Sequence, residues 1–306
     1  MSRLQEHVND YLRLRRALGF KLKHDGQALP QLAAYLEAAG VTTVTSDLAI
    51  SWAQLPRDVQ PIRWARRLTA ARGFAAYMKT LDPETEVPPR NVFGVRQRRP
   101  SPYLWSQDEI CRLLEAARRM RPPLRAASYE ALFGLLAVSG MRIGEALALQ
   151  RDYVDLTAGV ITIADAKGSR PRVVPLHASA TEALTRYAVR RDDLCSKPRS
   201  RAFFLSAAGA ALTCSRVHAA FVKLTSQIGL RTATVAPRIH HLRHSFAVRT
   251  LVDLQTSGAE VAGWMPALSD YLGHANPAGT WSYLSASPEL MQLAARRFHT
   301  RFGGQP

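Results

Sequence analysis

The chain has 306 residues, and its 41 lysines and arginines against 24 aspartates and glutamates give it a formal net charge of +17. Such an excess favours a polyanionic partner, nucleic acid before a membrane surface, because binding releases counterions from the polyanion. No apolar run is long enough for a membrane span or a signal peptide, and the 3 scattered cysteines form no Cys-x-x-Cys pair. We therefore expect a reducing, cytoplasmic protein without disulfides, structural zinc or a membrane anchor.

Residues 1–95 are predicted to form a helical domain. Their apolar residues recur at helical spacing in several segments, the last of which is residues 62–81. That segment sets a core stripe among arginines, and a solvated basic face would explain it without DNA. In a chain this basic we favour phosphate contact, which makes DNA-binding candidates of Arg63, Arg66, Arg67 and Arg72.

Residues 96–103 are predicted to link two domains, since the surrounding stretch contains several prolines and few helix signals. This linker adds further DNA-binding candidates, Arg96, Arg98 and Arg99. Residues 104–306 are expected to form the second domain, because the chain is too long for one ordinary core. The domain opens on a capping box, with Ser106 as N-cap and Glu109 three residues later.

The second domain is predicted to be mainly α-helical with one small antiparallel β-sheet. A buried helix should end at Gly140, and later helices are expected in "MRIGEALALQ", "SATEALTRYAVRR", "HHLRHSFAVRTLVDL" and "MPALSDYLGH". Between the first two of these, β-branched runs flank "KGSR", which predicts a β-hairpin with Lys167 in its turn. Taken alone, a lysine in such a turn is ordinarily just solvated.

Polar residues lie at the structural breaks of this domain. Arg142 follows the predicted helix end, and Glu145, one turn later, would by itself make an ordinary surface ion pair with it. His240 and Arg243 are three residues apart, so they share one face of a predicted helix. His240 and His244 are four apart, but no glutamate lies between them as in His-Glu-x-x-His, so no metal site is expected.

A tyrosine follows the last of these breaks. His274 comes after a glycine placed to end a helix, and Tyr283 lies nine residues beyond that histidine. A lone tyrosine is ordinarily a core or surface aromatic. The rival tyrosine, Tyr271, precedes "LGH" in a register that indicates helix packing.

Taken together, these residues closely resemble the signature of the tyrosine recombinase, or phage integrase, family. That signature is a small-residue-Gly-x-Arg-x-x-Glu motif, a hairpin lysine, His-x-Leu-Arg-His, and Leu-Gly-His followed nine residues later by tyrosine. Here the motifs are "SGMRIGE", "AKGSRPRVVPL", "HHLRH" and "LGHANPAGTWSY", in the family's order and spacing, across roughly Ser106 to Ser287. The N-terminal helices resemble the family's core-binding, SAM-like domain in kind only.

The departures from the family's pattern are few. The family commonly has an aspartate where this chain has His241, and many members have a histidine where Ser285 stands. Neither position is essential, so the departures bear on the surroundings of the site rather than on activity.

The resemblance implies a site-specific recombinase that cuts and rejoins DNA through a 3′-phosphotyrosyl intermediate and a Holliday junction, without metal, ATP or another cofactor. Attack on a phosphodiester adds negative charge at phosphorus, which fixed cations must offset where no carboxylate set holds Mg²⁺. Guanidinium groups suit that task because each can donate a planar pair of hydrogen bonds to phosphate oxygens. The residues implied as catalytic are Arg142, Lys167, His240, Arg243, His274 and Tyr283.

The family also implies a role for each of these residues. Tyr283 attacks phosphorus, and the two arginines bind its non-bridging oxygens. His240 assists proton transfer, and His274 donates a hydrogen bond to the phosphate. Lys167 protonates the departing 5′ oxygen as general acid. Glu145 orients the segment that carries the first arginine.

The implied partner is double-stranded DNA, bound by a homotetramer that assembles on DNA from monomers. The apolar stripe in "SPELMQLAARRFHTRF" predicts a C-terminal helix that docks on a neighbouring protomer or on its own domain. The resemblance leaves open whether accessory proteins take part, and whether the enzyme, cytoplasmic and nucleoid-associated, serves a phage, a transposon, an integrative element or chromosome-dimer resolution. Alternatives are a type IB topoisomerase, a catalytically silent DNA-binding protein and a metal-dependent nuclease.

Overall fold

A computed structural model describes residues 2–94, 102–164, 171–274, 278–281 and 283 of the protein. The chain divides into two compact units, Met1–Arg99 and Pro100–Pro306. No helix in the described ranges is long and apolar enough to cross a membrane. Several predicted features lie outside the described residues: Lys167, Arg96, Arg98, Arg99 and the C-terminal helix.

The N-terminal unit contains helices α1 (Arg3–Ala17), α2 (Lys23–Ala38), α3 (Ser46–Gln54) and α4 (Pro61–Met78). Hydroxyl side chains begin two of these helices, because Ser2 and Thr45 each accept a hydrogen bond from a backbone N–H of the first turn. Gly19 and Gly40, both with positive φ, follow the first two helices. The apolar faces meet in one core, in which Trp52 and Phe74 are fully buried.

The second unit is mainly helical. Its helices are α5 (Gln107–Arg118), α6 (Pro123–Ser139), α7 (Ile143–Ala148), α8 (Ala178–Leu194), α9 (Cys214–Gln227), α10 (Ile239–Thr256), α11 (Val261–Leu272) and α12 (Ala278–Trp281). The predicted capping box at Ser106 and Glu109 begins α5, and Gly140 ends α6 in the left-handed conformation. Helix α9 does not appear among the sequence predictions.

A small antiparallel sheet interrupts these helices, as predicted. Its strands are β1 (Val154–Asp155), β2 (Val160–Ile163) and β3 (Arg172–Pro175), in the order β1-β2-β3. Strands β2 and β3 are the two runs of the predicted hairpin, and Ile163 pairs with Arg172 at the end of their ladder. The two-residue strand β1 was not predicted, because a segment that short carries no alternation.

Helix α6 forms the centre of the second unit. It packs against α5, α8 and α10, and Leu132 and Phe133 are fully buried at these contacts. A smaller apolar cluster joins α10 to α11, with Leu251 and Leu272 fully buried. This second cluster includes Tyr283, so the segment after α11 folds back onto α10.

Candidate active site

Arg142 is held by a carboxylate and by the end of α11. Its backbone N–H donates to Glu145 Oε2 at 3.0 Å, and its Nη1 donates to Glu145 Oε1 at 2.8 Å. Its Nη2 donates to the carbonyl oxygen of Gly273 at 2.7 Å. The Glu145 side chain is only 3% exposed, so this contact is not the ordinary surface ion pair that the spacing alone would allow.

A second arginine, Arg172, shares the same carboxylate. Its Nη2 lies 2.9 Å from Glu145 Oε2, and its Nε donates to the carbonyl oxygen of Tyr271 at 2.7 Å. The sequence predictions omit this residue. The available signal was a charged residue at the start of the β-branched strand β3, where the sequence does not distinguish a solvent-facing arginine from a buried one.

Arg243 is buried at the centre of the site, with 2% of the residue exposed. Its Nη1 donates to the carbonyl oxygen of Gly140 at 2.8 Å, and its Nη2 donates to that of Leu272 at 2.9 Å. Burial lowers the pKa of Arg243, and the Tyr283 phenol beside the guanidinium acts in the opposite direction. The nucleophile candidate and this arginine are therefore neighbours.

His274 connects Arg243 to the segment that carries Tyr283. Arg243 Nη2 lies 2.8 Å from His274 Nε2, and since a guanidinium only donates, that nitrogen accepts. The proton of the neutral ring is then on Nδ1, which donates to Thr280 Oγ1 at 2.6 Å. Burial and the nearby Arg243 lower the pKa of His274 to about 4, which favours this neutral form.

Tyr283 lies between two imidazoles. Its ring centroid is 5.1 Å from that of His244, edge to face, and 5.9 Å from that of His274, stacked. The residue is 2% exposed. His240, to which the family resemblance assigns proton transfer, has its ring centroid 4.7 Å from that of His244. His244 is thus the α10 imidazole in ring contact with the tyrosine.

Burial lowers the pKa of each imidazole on α10. Burial is the main cause that lowers the pKa of His240, with Arg243 adding to it, and burial lowers the pKa of His244 to about 4. His241 occupies the position where the family commonly has an aspartate. Its Nδ1 accepts the backbone N–H of Arg238 at 3.2 Å, so it caps the start of α10 as an aspartate would.

Tyr271 occupies a packing position, as its register indicates. Its ring stacks on Phe246 with centroids 5.7 Å apart, and burial raises the pKa of its phenol.

Among the described residues, no group of three or more His, Cys, Asp or Glu side chains could hold a metal ion.

The DNA-binding candidates of α4 differ in their surroundings. Arg63 and Arg66 are exposed, whereas Arg72 is partly buried. Arg67 stacks over the ring of Trp52 at 3.9 Å and donates to the Trp52 carbonyl oxygen at 3.1 Å. Arg67 is therefore engaged within its own unit.

The structure brings together Arg142, His240, Arg243, His274 and Tyr283, which come from segments far apart in the chain. A helical unit with a small antiparallel sheet that collects these residues around a tyrosine defines a tyrosine recombinase. The model of the phage integrase family matches residues 105–289, and the chain belongs to this family.

Relatives extend the similarity over the whole chain. The putative integrase/recombinase y4rB of Sinorhizobium fredii is 42% identical over 310 residues, covering 99% of each chain. The tyrosine recombinase XerD of Mycobacterium tuberculosis is 33% identical, covering 83% of this chain and 76% of the relative. The protein is therefore an enzyme of the tyrosine recombinase class.

Solved structures share the two-domain recombinase fold. The Tn1549 transposon integrase in complex with transposon right end DNA matches with a TM-score of 0.69 at 16% identity, covering 97% of this chain and 99% of that one. The XerH site-specific recombinase in a post-cleavage complex matches with a TM-score of 0.66 at 20% identity, covering 88% and 77%. At these identities the match concerns the fold alone.

Proposed function

We propose that this enzyme is a site-specific recombinase of double-stranded DNA, of the integrase or transposon type. Two relatives in Sinorhizobium fredii carry integrase/recombinase names, and the Tn1549 structure is a transposon integrase on DNA. The +17 net charge suits the same partner. We further propose that the protein is a monomer in solution and a homotetramer on DNA that passes through a Holliday junction.

One observation carries the proposal: two guanidinium groups from segments far apart in the chain bind successive carbonyl oxygens at the end of α11. Arg243 donates to Leu272 and Arg142 donates to Gly273. Their charges are thus fixed next to Tyr283, where attack on a phosphodiester would build negative charge. Removing one such donor should slow cleavage by roughly a hundredfold or more.

Strand cleavage exchanges one phosphate ester for another. The phenol oxygen of Tyr283 forms a bond to phosphorus, and the bond from phosphorus to the 5′ oxygen breaks. Lys167 supplies the proton that the 5′ oxygen takes up. The phenol proton passes to an imidazole of α10, either His240 or His244. A free phenol is ionised to only about one part in a thousand at neutral pH, so an acceptor matters.

The ester intermediate stores the energy of the broken bond. A 5′ hydroxyl from a partner duplex can therefore reverse the attack and join the strands without ATP. The two arginines offset the charge at phosphorus, so the step is expected to proceed without a metal ion.

The experiment begins with selection of bound duplexes from a random-sequence pool. Two differently labelled duplexes that carry the selected site are then mixed with the protein in EDTA. We expect strands to be joined between the two labels. In parallel, a supercoiled plasmid that carries the selected site is incubated with the protein. Relaxation of this plasmid without joining of the labelled duplexes would indicate a type IB topoisomerase, and binding without cleavage would indicate a silent DNA-binding protein. Cleavage that EDTA abolishes would indicate a nuclease.

A further inference from the structure

Arg172 lies in the site, but the proposed mechanism assigns it no role. It is the first residue of β3, and its side chain is 9% exposed. Burying a guanidinium costs several kcal/mol unless its donors are matched, and here they are. Its Nη1 and Nη2 donate to the two oxygens of Glu145 at 3.2 and 2.9 Å, and its Nε donates to Tyr271.

The Glu145 carboxylate is shared between two arginines. Oε1 accepts from Nη1 of both Arg142 and Arg172, and Oε2 accepts from the Arg142 backbone and from Nη2 of Arg172. The two-pronged contact from Arg172 fixes the plane of the carboxylate. The side chain of Arg142 is oriented in turn by that plane.

The C-terminus of α11 is shared in the same way. The carbonyl oxygens of Tyr271, Leu272 and Gly273 accept hydrogen bonds from Arg172, Arg243 and Arg142, in that order. These carbonyls lie at the C-terminus of α11, the negative end of the helix dipole. Three arginines from separate elements thus meet on one helix end, directly before His274.

We propose that Arg172 is a positioning residue for strand cleavage, which holds Arg142 in place through the shared Glu145 carboxylate and the α11 C-terminus. The inference rests on the proposed function, because it assigns Arg172 a part in that reaction. Lysine cannot replace it, since a single ammonium lacks the fixed fork that spans both Glu145 oxygens and the Tyr271 carbonyl.

The test uses the full chain and a suicide duplex, nicked near the cleavage position so that the covalent adduct accumulates. Single-turnover cleavage is measured for wild type, Arg172→Met, Arg172→Lys and a control, Arg118→Met. Arg118 pairs with Glu130 at 2.6 Å on the exposed surface of the same unit. We expect both Arg172 variants to cleave at least about tenfold more slowly, while the control stays within about threefold of wild type.

A charge-specific readout separates positioning from general damage. A methylphosphonate at the scissile position removes the negative charge that Arg142 would offset. If Arg172 acts through Arg142, the rate ratio of wild type to Arg172→Met should shrink to about threefold or less on this neutral substrate. In an Arg142→Ala background, Arg172→Met should add less than about threefold, because the two residues act as one unit.

An unchanged ratio on the neutral substrate, or effects of the two substitutions that multiply, would overturn the inference. So would wild-type cleavage rates in both Arg172 variants. Thermal unfolding and DNA affinity, measured for every variant, identify any variant that has merely lost its fold. If Arg172→Met is such a variant, the cleavage rate of Arg172→Lys tests the inference. If the wild type itself forms no adduct, the proposed function fails instead, and the two failures are distinct.

Discussion

The substitution Gly140→Ala tests how closely the end of α6 is fitted to the site. Gly140 has φ +59°, in the left-handed region, and its carbonyl oxygen accepts from Arg243 at 2.8 Å. A Cβ built there would lie 2.5 Å from Phe246 Cδ1 and 3.1 Å from Leu272 Cδ2. Alanine therefore strains the backbone and overlaps a ring, and either response moves a hydrogen-bond partner of Arg243.

The expected loss of stability has two parts. The left-handed conformation costs a non-glycine residue about 1–2 kcal/mol. Overlap in a packed core costs a further amount of about 1–3 kcal/mol. Gly140→Ala should therefore lower the free energy of unfolding of the second unit by about 2–5 kcal/mol, and the displaced arginine should slow cleavage at least about tenfold.

Gly229→Ala is the matched control. Gly229 also has positive φ, at +75°, but a Cβ there would meet nothing within 4 Å. It should lose only the backbone part, about 1–2 kcal/mol, and cleave within about threefold of wild type. Urea unfolding of the second unit and single-turnover cleavage measure both quantities. Equal losses of stability in the two variants, with wild-type cleavage by Gly140→Ala, would refute the reasoning.

Other predictions concern the histidines and the N-terminal unit. Thr280→Val removes the acceptor of the His274 Nδ1 proton and should slow cleavage about tenfold or more while leaving DNA affinity unchanged; an unaffected rate would contradict this role. Burial lowers the pKa of His244 to about 4, so the unfolded chain takes up a proton first as the pH falls. The contribution of neutral His244 to the free energy of unfolding is therefore present above about pH 6.5 and is lost as the pH falls towards 4. His244→Gln should make the free energy of unfolding, measured with urea, fall less steeply over this pH range. Arg63→Ala should lower DNA affinity and reduce the slope of log affinity against log salt concentration by about 1. Arg67→Ala should mainly destabilise the N-terminal unit. Fluorescence anisotropy at several salt concentrations separates the two, and equal effects on affinity would argue against the distinction.

Local patterns predicted much of the fold. Glycine stops, hydroxyl N-caps and apolar periodicity depend on neighbouring residues, so Gly140 and Ser106 were interpreted correctly from the sequence. Helix α9 was missed although Thr213 is a hydroxyl residue at its N-cap and Val217, Phe221 and Leu224 recur at helical spacing, since no chemical motif draws attention to the segment.

The site was predictable only where motif spacing carries information. The spacing pointed to Arg142, Arg243, His274 and Tyr283, which the structure brings together. It could not reveal Arg172, since the partners of a strand arginine are set by tertiary packing. Nor could it reveal the contact of His244 with Tyr283. Helical spacing predicts the face of the helix on which a residue lies, but not the ring that it contacts.

The central claim is that Tyr283 forms the bond to phosphorus within a set of fixed cations, and the most direct test locates that bond. Wild-type protein is incubated with the suicide duplex in EDTA, digested with trypsin and analysed by mass spectrometry, with Tyr271→Phe and Tyr283→Phe alongside. The account predicts a 3′-nucleotide on the peptide that contains Tyr283, retained in Tyr271→Phe and absent from Tyr283→Phe. An adduct on another residue, or one that forms only when a divalent metal is added, would contradict it.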